Sequence, residues 1–172
     1  MQKIAIIGSG GSGKSTLSKK LAAKLNLPLY HLDSLHWKAG WVPTPAAEWD
    51  QLLAELIAQK EWIIDGNYGR TMDMRLREAD TIIYLDYPTR ISLFRAIKRR
   101  FQYKGRTRPD MAAGCEEKLD LNFVKWIWRY RRDQRPKIIK KLDQLKNGKQ
   151  VYIFTSPKQL ERFLNEELPD RI

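Results

Sequence analysis

Gly8-Ser9-Gly10-Gly11-Ser12-Gly13-Lys14-Ser15-Thr16 follows the apolar run Ile4-Ala5-Ile6-Ile7 and leads into Leu17, Leu21 and Leu25 at helical spacing. Gly8, Gly13, Lys14 and Ser15 satisfy the phosphate-loop pattern. The strand-like run before them and the amphipathic stretch after them supply the context that pattern requires. Gly8, Gly10, Gly11 and Gly13, with Ser12 between them, let successive backbone N–H groups turn inward around a polyphosphate at a helix N-terminus. Lys14 is then expected to reach the outer phosphates. Ser15 offers its hydroxyl to Mg²⁺, with Thr16 beside it in the nucleotide site. The expected nucleotide is ATP, with GTP as the alternative.

Outward from the loop, strand and helix signals alternate. Pro28-Leu29-Tyr30-His31-Leu32 reads as a second strand with Asp33 at its carboxyl end, and residues 33–43 read as loop, with Trp37 and Trp41 around Gly40. Thr44 and Pro45 read as the cap and first turn of a helix that turns Trp49, Leu52, Leu53, Leu56 and Ile57 inward. Trp62-Ile63-Ile64 is a third strand running into Asp65-Gly66-Asn67-Tyr68-Gly69-Arg70. A short helix over about 71–79 leads to a fourth strand, Thr81–Leu85, stopped by Asp86-Tyr87-Pro88.

The helix from Pro88 is expected to bury Phe94, Ile97 and Phe101 and to carry Arg95 and Arg99 on a different face. Gly105-Arg106-Thr107-Arg108-Pro109-Asp110 is a polar loop. From Leu119 a helix buries Phe123, Trp126, Ile127 and Tyr130, with Lys125, Arg129 and Arg132 lined up elsewhere. Pro136 opens another helix to about Lys146. Val151–Phe154 is the fifth strand, and Ser156, Pro157 and Gln159 are a capping-box start for a last helix with Leu160, Phe163 and Leu164 in the core. This alternation predicts a three-layer α/β/α P-loop fold with a five-stranded parallel sheet. Ligands in such sheets sit beyond the carboxyl ends of the strands, which here are Gly8, Asp33, Asp65, Asp86 and Thr155-Ser156.

The 172 residues, 42% of them hydrophobic, fit one domain, with an acceptor-binding helical insertion at about 34–60 and a lid at about 104–118. Nothing at the N-terminus resembles a signal peptide and no run approaches bilayer length, so a soluble, cytoplasmic protein without a membrane partner is expected. Cys115, the single cysteine, excludes an internal disulfide and a multi-cysteine zinc site and reads as a plain small loop residue. A net charge of +12, from 32 Lys and Arg against 20 Asp and Glu, attracts polyphosphates, nucleic acids and anionic surfaces.

Phosphoryl transfer needs charge neutralisation around a metaphosphate-like transition state. Asp65 and Asp86 both stand where an acidic residue supports Mg²⁺ through water. Asp65 is favoured because the flexible Gly66 and Arg70, a candidate phosphate ligand, follow it. Asp33 is placed to orient an acceptor hydroxyl or take its proton, and Trp37 with Trp41 to line an acceptor pocket. His31 and His36 lack a metal-ligand set and read as structural or surface residues. Arg95, Arg99, Arg106 and Arg108 cluster around one loop, where the planar guanidinium suits phosphate oxygens. Arg99 and Arg108 join Lys14 and Asp33 as catalytic candidates, and Arg95 and Ser156 join the nucleotide site.

These segments resemble the phosphate loop, Asp-Gly segment, strand-four exit and lid-flanking arginines of adenylate kinase-like nucleoside monophosphate kinases. More closely, His31-Leu32-Asp33, Trp62 to Tyr68, Gly105 to Asp110 and Trp126-Ile127-Trp128-Arg129 look like the bacterial group labelled DNA topology modulation proteins. The resemblance implies an ATP site, a helical acceptor insertion after strand two and a closing lid. It implies that Arg70 holds the acceptor's phosphate, that Arg95 lies near adenine and that Arg99 contacts the transferred phosphate. The lid here is shorter than adenylate kinase lids and lacks their zinc cysteines, and His31 to Leu35 differs from their acceptor loop.

Three functions therefore stand open: an Mg²⁺-assisted ATP-dependent kinase acting on a small-molecule or nucleotide acceptor; an ATP-binding regulator that touches DNA through the aromatic and basic stretch Phe123–Arg135; and an ATPase without an acceptor.

Overall fold

The computed structural model describes residues 1–168. Five parallel strands form the central sheet: β1 (Lys3–Gly8), β2 (Leu29–His31), β5 (Trp62–Asp65), β6 (Thr81–Leu85) and β7 (Gln150–Phe154), in the order β2-β5-β1-β6-β7. A two-stranded antiparallel hairpin, β3 (Trp37–Lys38) and β4 (Val42–Pro43), stands apart from it. The helices are α1 (Lys14–Leu25), α2 (Leu32–His36), α3 (Ala46–Ala58), α4 (Gly69–Glu78), α5 (Thr89–Gln102), α6 (Leu121–Asp133), α7 (Arg135–Leu145) and α8 (Pro157–Arg162). A wider final turn, Phe163–Glu167, continues α8.

The pleat sends alternate side chains of β1 to opposite layers. Ile4 and Ile6 join Leu17, Leu21 and Leu25 of α1 with Phe154 and Phe163. Ala5 and Ile7 join Trp49 and Leu53 of α3, Leu76 of α4, Ile138 and Leu142 of α7 and Tyr130 of α6. The strands buried on both faces are the ones with continuous apolar runs, as in a parallel sheet covered on each side. In register, His31 stands beside Asp65 and Gly8 beside Leu85, so the strand ends converge on one edge.

The sheet and its order of elements follow the sequence reading, with four local departures, the smallest being Trp126 of α6, which is exposed while Ile127 and Tyr130 carry the buried face. Residues 33–43 are not plain loop but the single turn α2 followed by the β3-β4 hairpin, which reverses at Gly40 with φ 75°. Thr44 does not cap α3, because its hydroxyl is turned back to the Leu35 and His36 carbonyls and Pro45 occupies the cap position. The largest departure is α5. Phe94 and Phe101 are 67% and 76% exposed and Ile97 is also exposed, while the buried positions are Ser92 and Ala96. Closeness explains the choice: a Cβ on Gly11 would lie 2.2 Å from the Ser92 carbonyl oxygen, so α5 meets the loop through small residues and has no room there for phenylalanine.

Arg75 in α4 is fully buried and donates to the carbonyls of Gly66, Asn67 and Tyr68, tying the exit of β5 to the helix that follows. Burial pulls its pKa down to about 10 against the opposing pull of Asp65 and Tyr68. Arg75→Ala, which strands these carbonyls and leaves a void, is expected to cost about 2–4 kcal/mol in urea unfolding. A loss under about 1 kcal/mol would deny this side chain its structural role.

Candidate active site

The glycine loop is shaped as much by what presses on it as by its own turns. Gly11 and Gly13 take φ of 76° and 96°, conformations that favour glycine. A Cβ on Gly10 would sit 2.6 Å from the Phe123 ring, so α6 rests its aromatic end on the loop. Asn67 brackets Gly8 from the turn beyond β5: its carboxamide oxygen accepts from the Gly8 N–H at 3.0 Å and its amide donates to the Gly8 carbonyl.

Lys14 curls over this turn and donates to the Gly8 and Ser9 carbonyls, both at 3.0 Å. Burial lowers its pKa, Asp33 and then Asp65 raise it, and Arg99 and Arg108 lower it further. Four candidate residues from four separate segments thus lie within electrostatic reach of one ammonium.

Each of them has defined partners. Asp33 Oδ1 accepts from the Tyr68 hydroxyl at 2.9 Å. Burial, with Asp33 next, pushes the Tyr68 pKa up, so the phenol stays a proton donor to that carboxylate. Asp65 is buried, accepts from the Ser18 hydroxyl at 2.7 Å and meets His31 Nδ1 at 3.0 Å. Asp86 lies among arginines: Arg135 Nε donates to its Oδ2 at 2.7 Å and Arg131 Nε lies 3.7 Å from its Oδ1, so it ties α6 and α7 to β6. Arg95 donates to the Ser12 carbonyl at 3.1 Å and lies over the Tyr87 ring. Arg99 Nε donates to Glu117 Oε1 at 2.8 Å, and Arg108 Nε lies 2.5 Å from Glu117 Oε2. Arg108 also donates to Asp110 at 2.9 Å. Burial raises the Asp110 pKa, but Arg108 and then the Ser15 hydroxyl outweigh it and hold the carboxyl low.

His36, Thr44, Trp49, Tyr68 and Arg70 line a cavity of about 170 Å³, whose lining does not include Trp37, Trp41 or Asp33. His36 packs between rings, with centroids 4.7 Å from both Trp49 and Tyr68, and Trp37 meets it edge-on. Arg70 reaches the mouth of this cavity, where Asp50 holds its guanidinium by two nitrogens. Ser156 accepts from the Gln159 N–H as the cap of α8, and Gln159 turns its own side chain to Thr155, so half of the expected capping box forms. Arg106 is exposed.

Both histidines have structural partners, as the sequence reading has it: His31 pairs with Asp65 and His36 is part of the aromatic wall. Cys115 is fully buried and its thiol donates to the Lys38 carbonyl, fastening the 104–118 loop to the hairpin beside Trp41, whose indole donates to the Glu116 carbonyl. Of the aromatic residues in Phe123–Arg135, Phe123 and the edge of Trp126 approach the glycine loop at Gly10, while Trp128 is exposed. Asn67, Asp110 and Glu117 were missed. Each acts through a partner distant in sequence or buried among arginines, a pairing that residue type alone does not announce.

For a metal, the available donors are the Ser15 hydroxyl with Asp65 and Asp110. Among the described residues no group of three or more His, Cys, Asp or Glu side chains is arranged to hold an ion. That set fits Mg²⁺ carried in on phosphates, which keeps most of its waters, better than a resident ion.

Solved structures share this architecture. Shikimate kinase from Acinetobacter baumannii in complex with shikimate matches 98% of this chain and 96% of its own, with a TM-score of 0.55 and 17% identity. Shikimate kinase from Bacteroides thetaiotaomicron matches 94% and 93%, at 0.53 and 20%. The chain has a P-loop kinase fold. An unliganded sugar kinase from Janibacter sp. HTCC2649 matches 96% and 93%, at 0.52 and 20%. In sequence, a shikimate kinase of Rhodococcus jostii (strain RHA1) is 30% identical over 111 residues, which span 56% of this chain and 64% of that protein. No family model matches.

His36 yields a pH prediction. Burial lowers its pKa and Asp33 opposes this, so below the unfolded value of about 6.5 the unfolded chain binds the proton first. Stability is then complete above that value and declines as pH falls toward the lower folded pKa. The urea midpoint should drop between about pH 7.5 and 5.5, and His36→Phe should make the drop smaller. An identical slope in both proteins would contradict the assignment.

Proposed function

We propose that the protein is an ATP-dependent kinase that transfers the γ-phosphoryl group to a hydroxyl of a small molecule. The observation that carries this reading is the convergence of Asp33, Asp65, Arg99 and Arg108 on Lys14 at the glycine loop, with an aromatic cavity adjoining Asp33 through Tyr68. The similarity to shikimate kinases and a sugar kinase supports a hydroxylated acceptor in place of a nucleotide. The likeness of His31-Leu32-Asp33 and Trp62–Tyr68 to the group labelled DNA topology modulation proteins supports a lineage and leaves the reaction to the site.

In this reading Gly8, Gly10, Gly11, Ser12, Gly13 and Thr16 wrap the phosphates, and Lys14 leaves the loop carbonyls for phosphate oxygens. Arg95 borders the base, and Ser156 lies on the nucleotide side. Mg²⁺ would be held by Ser15 and, through water, by Asp65, and would supply charge neutralisation on the phosphates. The acceptor oxygen forms a bond to γ-phosphorus as the bond to the β,γ-bridging oxygen breaks. The acceptor proton passes to Asp33 and ADP leaves with its own charge covered by Lys14. Arg99 and Arg108 neutralise the transferring group, while Trp37 and Arg70 border the acceptor. The single domain has its acceptor insertion at 34–60 and its lid at 104–118, and closing the lid keeps water from taking the phosphoryl group.

The test is acceptor-dependent ADP release across shikimate, simple sugars, other small polyols and nucleoside monophosphates. One hydroxylated acceptor should raise ADP release at least about a hundredfold over water. Lys14→Ala should lower that rate by about 10³-fold or more with an unchanged circular dichroism spectrum and melting temperature. A fully active Lys14→Ala enzyme, or ADP release indifferent to every acceptor, would overturn the reading.

A further inference from the structure

Glu117 is 3% exposed, and none of the steps above uses it. Its two carboxylate oxygens are divided between two arginines from different elements: Oε1 takes the Nε–H of Arg99 from α5, and Oε2 meets Nε of Arg108 from the 104–118 loop. The choice of nitrogen matters. Arg99 is hydrogen-bonded through Nε and Arg108 is ion-paired through Nε, contacts on one side of each guanidinium that leave a terminal nitrogen on the other side to face elsewhere. Among the described residues both terminal nitrogens of Arg99 and one of Arg108 have no hydrogen-bond partner, the other Arg108 nitrogen donating to Asp110. Both guanidiniums lie within electrostatic reach of Lys14.

Glu117 has a further attachment. Its N–H donates to the Arg106 carbonyl at 3.1 Å, Thr107 bridges Glu116 in the same turn, and Gly40 of the hairpin donates to the Gly114 carbonyl. The carboxylate is thereby fixed to the loop backbone on one side and to α5 on the other. Without it, Arg99 would lose its carboxylate partner and Arg108 would keep only Asp110, with both cations still close to Lys14.

We infer that Glu117 is a positioning residue of the phosphoryl-transfer site: it latches the 104–118 loop to α5 and turns the free guanidinium nitrogens of Arg99 and Arg108 toward the phosphate site. This rests on the kinase reading for its purpose, while the latch itself is a property of the nucleotide-free protein. An interaction that matters most when charge spreads over the transferring group affects kcat more than KM.

The experiment compares wild type with Glu117→Gln, Glu117→Asp, Arg108→Ala and the Arg108→Ala/Glu117→Gln double variant. Three measurements are made: basal hydrolysis of Mg·ATP by water, affinity for Mg·ATP by calorimetry, and hydrogen exchange of amides 104–118 without nucleotide. Glu117→Gln should lower kcat at least about tenfold with KM for ATP changed less than about threefold, and should speed loop exchange at least about tenfold. Glu117→Asp should recover part of both losses. In the Arg108→Ala background the same change should cost far less than in wild type, because part of its effect is already absent.

Unchanged kcat and loop exchange in Glu117→Gln would overturn the inference. So would a loss that adds in full to that of Arg108→Ala, or a faster enzyme with tighter ATP binding, which would make Glu117 a competitor of the phosphate. Wild type without affinity for Mg·ATP would sink the kinase reading instead, and loop exchange would still decide whether Glu117 holds the latch.

Discussion

A side chain on Gly10 or Gly11 would run into Phe123 of α6 or the Ser92 carbonyl of α5 at well under 3 Å. That contact between a turn without side chains and two helix faces constrains much of the molecule. The loop keeps its inward N–H groups because α5 and α6 cover its back. The helices in turn reach it only because α5 carries Ser92 and Ala96 on that face and α6 lays down flat rings. Burial in a layer this tight specifies small residues as strictly as a wider core specifies large ones.

Once α5 is fixed against the loop, its two arginines have little choice of position. Arg95 and Arg99 flank the buried strip one turn apart, so Arg95 lies at the Ser12 carbonyl while Arg99 turns toward Glu117. From the other side of β1, Asp65 and Asn67 arrive on β5 and its exit, and Asp33 arrives on α2. Charges of both signs then surround Lys14, with Arg99 and Arg108 sharing the Glu117 carboxylate. The protein's large positive excess lies mostly elsewhere, on exposed helix faces such as Lys125, Arg129 and Arg132.

How much of this was legible in the sequence depended on the range of the interaction. The glycine loop, the five strands and the residues at their carboxyl ends were legible because each is written in a few consecutive residues. The α5 face was not, since Phe94, Ile97 and Phe101 have the right spacing for a core stripe and what excludes them is a glycine some eighty positions away. Thr44 looked like a cap until the α2 carbonyls claimed its hydroxyl. His31 and Asp65 are paired by strand register, and Glu117 by two arginines from different elements. Such pairings belong to the folded topology, and a single chain of letters states the residue types without stating who meets whom.

The central claim is that this loop, with Lys14, grips the outer phosphates of a magnesium-bound triphosphate. Titration calorimetry of the purified protein with Mg·ATP and Mg·GTP addresses it without needing the acceptor. Saturable one-to-one binding of at least one nucleotide, weakened at least about tenfold when the triphosphate is replaced by the monophosphate, is the expected result. The absence of heat from either nucleotide at millimolar concentration, with the protein folded, would contradict the account at its root.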